Sequence, residues 1–336
     1  WKKQTIEGAN AYKEQRFGDA ERAFKRAIEE AKTLGPDNQQ LAASFTNLGV
    51  LYNYRGYFEK AEPLFVQAVN IQEKLFGEDD TRVISATGKL CQFYLKRKNF
   101  ADANPLCLRI IKYGDRKLAD KSIAKLNPNQ ASTLSKEEKE ELKKVHNQIL
   151  ELAVLFDRMG TAYLEYPVQD RYQVAEKLFT LATQLREKVL HGNHLALSRS
   201  YENLGSVYLK ENRFSKAEPL LSKAYKISKD TLGFSNPKTY SKMDAWSQAL
   251  VGLKRYSHAE SNYRLALKAF SKDFGARSGY VANIETALAH VLARRGQYTQ
   301  AAAYLQKAIK INEHIHGPDH GSITAARKEY QSMLRR

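Results

Sequence analysis

The sequence predicts an all-α solenoid of seven helical hairpins closed by one terminal helix, and three recurrences carry that prediction. An alanine returns at Ala20, Ala61, Ala103, Ala175, Ala217, Ala259 and Ala301, in steps of 41, 42, 72, 42, 42 and 42 residues. A glycine closes the units at Gly35, Gly77, Gly192, Gly233, Gly275 and Gly317. An aromatic ring opens every second helix, at Phe17, Phe58, Phe100, Tyr172, Phe214, Tyr256 and Tyr298. In such an array each hairpin packs only on its neighbours, so the 336 residues need not divide into two globular domains.

The unit is clearest in residues 44–80. Phe45, Leu48, Gly49, Leu51 and Tyr52 recur at three- and four-residue intervals, the spacing of one helix face. Arg55-Gly56-Tyr57 interrupts the pattern, and Gly56 suits the left-handed residue just past a helix end. Ala61, Phe65, Ala68 and Ile71 then resume it; Gly77 closes the second helix, and Asp79, Asp80 or Thr81 can cap the next. The first unit begins near Trp1 with a short first helix. Residues 1–112 hold units 1 to 3 and residues 148–321 hold units 4 to 7.

The 72-residue step contains one ordinary period, a three-residue insertion in the turn at residues 166–171, and 27 further residues upstream. Segment 113–147 is therefore an inserted helical extension or a charged loop. Ile111, Leu118, Ile123 and Leu126 could carry the preceding helix on to about Lys125, and Asn127-Pro128-Asn129 is a turn signal. Ser135 with Glu138 forms a capping box, starting a helix from Lys136 to Leu164 that would span about 44 Å. An antiparallel arm follows from these signals, with Leu118 and Ile123 packed on Leu142 and Val145. Residues 322–336 form a capping helix with an apolar stripe of Ile323, Ala326, Tyr330 and Leu334 and a basic opposite face.

Leu48-Gly49-x-x-Tyr52 with Ala61-x-x-x-Phe65 and Ala68, and Leu204-Gly205-x-x-Tyr208 with Ala217, Leu221 and Ala224, resemble tetratricopeptide repeats. The 42-residue period, NLGVLY, AEPLF, AEPLL, IQEKLFGEDD and HGPDH are similar to the repeats of kinesin light chains and their bacterial relatives. The resemblance implies a right-handed superhelix. Small residues have a physical reason beside it: Gly49, Gly160 and Gly205 lack bulk where the two helices of a hairpin cross, with Ala61, Ala175 and Ala217 expected to face them. Tyr52, Tyr208 and Phe65 would fill the wider space toward the next hairpin. Cys91, Ser247 and Ala289 replace the glycine, and Trp246 takes a leucine place, so the sixth hairpin should pack differently.

Charge and thiols bound the function. The net charge is +17, yet residues 1–80 carry 11 Lys+Arg against 13 Asp+Glu, leaving 43 and 24 for residues 81–336. That asymmetry favours acidic partners, or head-to-tail self-association; solvated helix faces explain it equally well. Cys91 and Cys107 fall where neighbouring units place Gly49 and Phe65, so buried thiols are expected, with a disulfide open to them in an oxidising compartment. No apolar run is long enough to span a membrane. The chain begins at Trp1 without an initiator Met, so export from a bacterial cytoplasm is the expected localisation if a signal was removed.

Catalytic chemistry has no foothold. The sequence contains no phosphate loop, dinucleotide fingerprint, zinc-protease helix or nucleophile elbow. His314, His316 and His320, with His191 and His194, lie in unit-ending loops without carboxylate or cysteine partners at ligand spacing, so neither metal nor cofactor is expected. Nucleic acid is a weaker reading of the basic segment, which lacks an aromatic-basic signature. The resemblance implies instead that the first helices line a concave groove for a partner polypeptide. Its face would include Asn47, Val50, Asn53 and Tyr54, then Lys89, Gln92 and Lys96, then Arg158 and Thr161. It continues with Arg199, Asn203, Ser206, Lys210, Gln248, His290 and Arg294. Asn47 and Asn203 match the family's groove asparagine, and the cations favour an acidic or extended segment. The carboxylate clamp of chaperone-binding relatives is not reproduced, since the matching places hold Thr46, Gly88, Asp157 and Ala245. The expected function is a non-catalytic scaffold organising a multi-subunit assembly, with possible self-association through 113–147. A cargo adaptor like a kinesin light chain is the alternative, although no heptad coiled coil is present.

Overall fold

The structure is a computed structural model that describes residues 1–120, 135–165, 170–190, 192–318 and 320–335. It is an all-α repeat solenoid, without a strand among the described residues, and its contacts divide it into residues 1–189 and 190–336. The first unit holds four hairpins: α1 (Lys2–Lys13) and α2 (Phe17–Lys32), α3 (Gln39–Tyr54) and α4 (Phe58–Phe76), α5 (Thr81–Lys96) and α6 (Phe100–Ala119), α7 (Lys136–Glu165) and α8 (Arg171–Val189). The second holds three, α9 (Leu195–Lys210) with α10 (Phe214–Leu232), α11 (Pro237–Gly252) with α12 (Tyr256–Phe274), α13 (Gly279–Arg294) with α14 (Tyr298–His316), and then α15 (Gly321–Leu334).

Local chemistry sets the ends of these helices. Side chains of Asn38, Asp80, Asn236 and Ser278 accept from backbone N–H groups in the first turns of α3, α5, α11 and α13, satisfying donors that have no helical partner. The Ser135 box closes both ways: the Ser135 N–H donates to Glu138 Oε2 at 2.7 Å, and the Glu138 N–H to Ser135 Oγ at 3.1 Å. Gly77 ends α4 at φ 76°, a conformation costly for a side chain bearing Cβ.

Within each hairpin the core is a crossing of a small residue and a large one. A Cβ added at Gly8 would lie 2.5 Å from the Phe24 ring, at Gly49 3.2 Å from Phe65, at Gly160 2.8 Å from Phe179, and at Gly205 2.7 Å from Leu221. The glycine is thus a socket for the ring or leucine one turn beyond the alanine. Shape complementarity of this kind is what dense packing requires. Where the glycine is lost the partner adjusts: Cys91 stands with Cys107, and Ala289 with Leu305, all buried. Both thiols are free, and Cys91 Sγ lies 3.3 Å from the Ala103 carbonyl.

Between hairpins, a tyrosine hydroxyl from each of α3, α5 and α7 ties back to the previous second helix. Tyr52 OH donates to Glu21, and Tyr94 OH to Glu62, each at 2.9 Å. Burial, then the bond to Glu62, pushes the Tyr94 phenol up to about 12. Tyr163 OH reaches Asn104 at 2.9 Å. In the sixth hairpin the tyrosine place is Leu250, and Trp246 Nε1 donates to Glu218 at 2.9 Å instead, stacked 5.5 Å from Tyr225. The altered packing expected there is this substitution of an indole for a phenol.

The long step leaves the stacking unbroken. A Cβ at Gly88 of α5 would lie 2.3 Å from Leu155 of α7, and one at Gly114 of α6 would lie 2.6 Å from Phe156. Arg186 of α8 pairs with Asp157 of α7 at 2.6 Å, both nearly buried. Helix α7 starts at Lys136 as expected and runs 30 residues, whereas α3, α5 and α9 have 16. The residues nominally opening the insertion complete α6 instead: Tyr113 is buried, Lys177 pairs with Asp115 at 2.7 Å, and Lys188 Nζ donates to the Leu118 carbonyl at 2.9 Å. Helix α6 ends at Ala119, with Asp120 in an extended conformation, which corrects the expected unbroken run to about Lys125; the packing of Ile123, the turn at Asn127-Pro128-Asn129 and residues 166–169 lie outside the described residues. In α15, Ile323 and Met333 are buried while Leu334 is exposed, so the stripe follows 323, 326, 330 and 333.

Two outcomes follow from this packing. Gly160→Ala forces the Phe179 ring to move; overpacking of about 1–3 kcal/mol outweighs the ~1 kcal/mol of helix propensity gained. Adding Phe179→Leu restores most of the loss, as Ala289 with Leu305 shows that alanine and leucine fit; urea midpoints of both variants measure it. Glu285 of α13 is 6 % exposed, its Oε2 has no hydrogen-bond partner, and burial pushes its carboxyl up to about 7, against a weaker pull from Lys307. The unfolded chain releases this proton near pH 4.5, so stability falls as pH rises from about 4.5 to 7, by ~3 kcal/mol in total. Glu285→Gln flattens that slope, measured by denaturation midpoints across the range.

Candidate partner-binding surface

In residues 1–189 the first helices α3, α5 and α7 border a recess of about 710 Å³. Asn47 of α3 and Lys89 of α5 line it, with Gln72 from α4, Thr81, Tyr113, Lys117 from α6, and Glu151 and Leu155 of α7. The Thr81 and Tyr113 hydroxyls share a 2.7 Å hydrogen bond on its wall. Lys89 is exposed as a residue, yet partial dehydration of its ammonium, and then the like charge of Arg158, depress its pKa. Arg158 is exposed and, like Lys89, has no ion pair among the described residues. The Gln72 Oε1 is buried without a hydrogen-bond partner. The recess therefore presents the Lys89 cation and one unmet acceptor, with Asp79, Asp80 and Glu151 also on its wall, and Arg158 acts on Lys89 from outside the lining.

The other expected groove residues of this unit lie apart from it. Tyr54 is largely exposed but its ring packs edge-on to Tyr12 at 5.6 Å and on Phe17 at 5.4 Å, at the turn end of the hairpins. Asn53 and Gln92 are half-buried, and Lys96 is exposed. Gln72, Tyr113 and Lys117 come from second helices, so a pattern confined to first helices could not single them out.

In residues 190–336 a second recess, about 850 Å³, lies among α11 to α15 and brings Gln248, His290 and Arg294 together. Their surroundings are not purely basic. Gln248 Nε2 donates to Asp244 Oδ2 at 2.8 Å, and Tyr263 OH to Asp244 Oδ1 at 2.8 Å. Burial, then Asp244, pushes the Tyr263 phenol far up. His290 Nε2 lies 3.0 Å from Glu329 Oε1 on the terminal helix, which thereby shares in the recess. Arg199 and Lys210 are exposed and Asn203 half-buried on α9, outside this recess. Among the described residues no group of three histidine, cysteine or carboxylate side chains is placed to hold a metal, and no helix is long and apolar enough to cross a membrane.

Comparison with known proteins fits this geometry. The tetratricopeptide repeat profile matches residues 7–74, 151–230 and 280–328, more than half of the chain. The chain belongs to the tetratricopeptide repeat family. No curated protein matches this tetratricopeptide chain by sequence. Among solved structures, the C-terminal part of a TPR repeat-containing protein from Cytophaga hutchinsonii has a TM-score of 0.54 at 11% identity, covering 95% of this chain and 97% of that one. Acl4, an assembly chaperone of RpL4, has a TM-score of 0.52 at 15% identity, covering 90% and 99%. The kinesin light chain TPR-like repeats of Podosopora anserina have a TM-score of 0.46 at 15% identity, covering 83% and 99%. At these identities the first two likenesses show the fold alone.

Proposed function

We propose that this tetratricopeptide chain is a protein-interaction scaffold that holds an acidic, extended segment of a partner in the first-helix recess of residues 1–189. The observation that carries the reading is the Lys89 ammonium on the recess wall, partly dehydrated and further disfavoured by the like charge of Arg158. A cation in that state gains from a carboxylate placed against it. A segment lying in extended form brings backbone N–H groups as well, and the Gln72 Oε1 and the Asn47 amide are positioned on the wall to meet them. The role in a multi-subunit assembly is part of the same reading, since the acidic segment would belong to a subunit being held. An assembly chaperone on the same fold is a precedent for it.

A second contact belongs to the extension within 113–147. Helix α7 begins about 14 residues before the point matching the start of α3, a projection of about 21 Å. We propose that this projection supports self-association.

Each contact has its own measurement. With a labelled acidic peptide pool, fluorescence anisotropy should show Lys89→Gln with Arg158→Gln binding about 10- to 100-fold more weakly, the scale of lost charge-assisted bonds. Unchanged affinity would remove the recess from the function. Replacing residues 121–145 by a short linker should convert the chain to a monomer by light scattering, and an unchanged mass would end the proposal of self-association.

A further inference from the structure

The basic charge of the chain is concentrated in residues 190–336, which hold 23 Lys+Arg against 11 Asp+Glu. Its distribution follows the repeat. Nine residues after the buried Ala217, Ala259 and Ala301 stand Lys226, Lys268 and Lys310. At 100° per residue, nine residues is half a turn from the core, so α10, α12 and α14 each point one lysine straight outward at the same height. Lys223 and Lys307 sit one turn before, with Lys229 and Lys272 after; all seven are exposed and none has an ion pair among the described residues. Asp230 and Glu313 on these helices are occupied, Asn193 Nδ2 donating to Asp230 at 3.0 Å and Arg327 pairing with Glu313 at 2.7 Å, while Asp273 is exposed at the end of α12. In residues 1–189 the same register holds Glu29, Asn70, Lys112 and Gln184, so the row is peculiar to the second unit.

At the centre of this array, on the middle helix, Leu265 occupies the register of Lys223 and Lys307 and is 56 % exposed. The neighbouring outward positions are small: Pro219, Ser261 and Ala303. The arginine of this face is already used, Arg264 donating to Glu260 at 2.7 Å and to Tyr304 OH at 3.0 Å. We propose that the second-helix face of residues 190–336 docks on an anionic lipid surface. A two-dimensional field of flexible point charges matches a plane of headgroups, and the leucine inserts among the acyl chains beneath them. A nucleic acid is less well served, because its recognition draws on arginine forks and stacking rings that this face does not offer. This surface belongs to the second helices of residues 190–336 and does not rest on the recess of residues 1–189.

The test is flotation of the whole chain with vesicles of equimolar phosphatidylserine and phosphatidylcholine at low ionic strength. The chain should float with these and stay behind with phosphatidylcholine alone, and salt should release it. Each lysine near such a surface contributes about 5-fold to partitioning, so Lys226→Gln/Lys268→Gln/Lys310→Gln together should lose about 100-fold. The control Lys2→Gln/Lys3→Gln/Lys13→Gln, of equal charge change on exposed α1 positions, should float as before. Circular dichroism confirms that both triples remain folded. The proposal is overturned if no vesicle binding is seen, or if both triples lose binding equally, which would reduce the effect to net charge. It is overturned as well if duplex DNA competes the chain off the vesicles through the same three lysines, which would make nucleic acid the partner.

Discussion

Two helices can cross closely only where one of them offers space, and in this chain the space is a missing side chain. Gly8, Gly49, Gly160 and Gly205 each receive a ring or a leucine from the second helix, inside the distance at which a Cβ would sit. Because the socket and its occupant are both buried, the contact sets the interaxial distance of the hairpin and with it the surface left for neighbours. The variants on this theme, Cys91 with Cys107 and Ala289 with Leu305, keep the sum of the two volumes within bounds. A repeat array tolerates such exchanges because each hairpin answers only to the ones beside it.

The connections between hairpins are more polar. Tyrosine hydroxyls in α3, α5 and α7 reach a carboxylate or amide on the preceding second helix, so the stacking register is specified by hydrogen bonds as well as by area. The Asp157–Arg186 pair plays a related part inside the hairpin that follows the insertion. Breaking one member of such a buried pair leaves an uncompensated charge, which makes it a strong constraint on how α7 and α8 may sit. With its core organised this way, the solenoid has two kinds of face to offer. The first helices carry mixed polar recesses, and the second helices of residues 190–336 carry lysines.

Much of this was legible in the one-dimensional pattern. The alanine, glycine and aromatic recurrences located every hairpin, and the box at Ser135 located the start of α7 to the residue. Helix identity and capping depend on neighbours within a few positions, which is why they can be read without coordinates. Contacts made across the fold were less accessible. Periodicity put Leu334 in the apolar stripe, while packing selected Met333; it sent Phe65 toward the next hairpin, while the structure also seats that ring on Gly49. At the site, Lys89 and Asn47 could be named from first-helix positions, but Gln72, Tyr113 and Lys117 enter from second helices. Tyr54 shows the opposite case: a ring on the expected face, engaged by Tyr12 and Phe17 near the turns.

By itself, then, the order of residues determined the repeat, the helix boundaries and the family, because those follow from local propensity and from a register maintained over 42-residue steps. Only the tertiary structure decided which side chains fill the glycine sockets and that the Lys89 ammonium is partly dehydrated. It also decided that hairpins α5–α6 and α7–α8 stack directly despite the insertion between them. The reason is physical: burial and electrostatic compensation are sums over groups distant in the chain, and they exist only once the helices have been brought together.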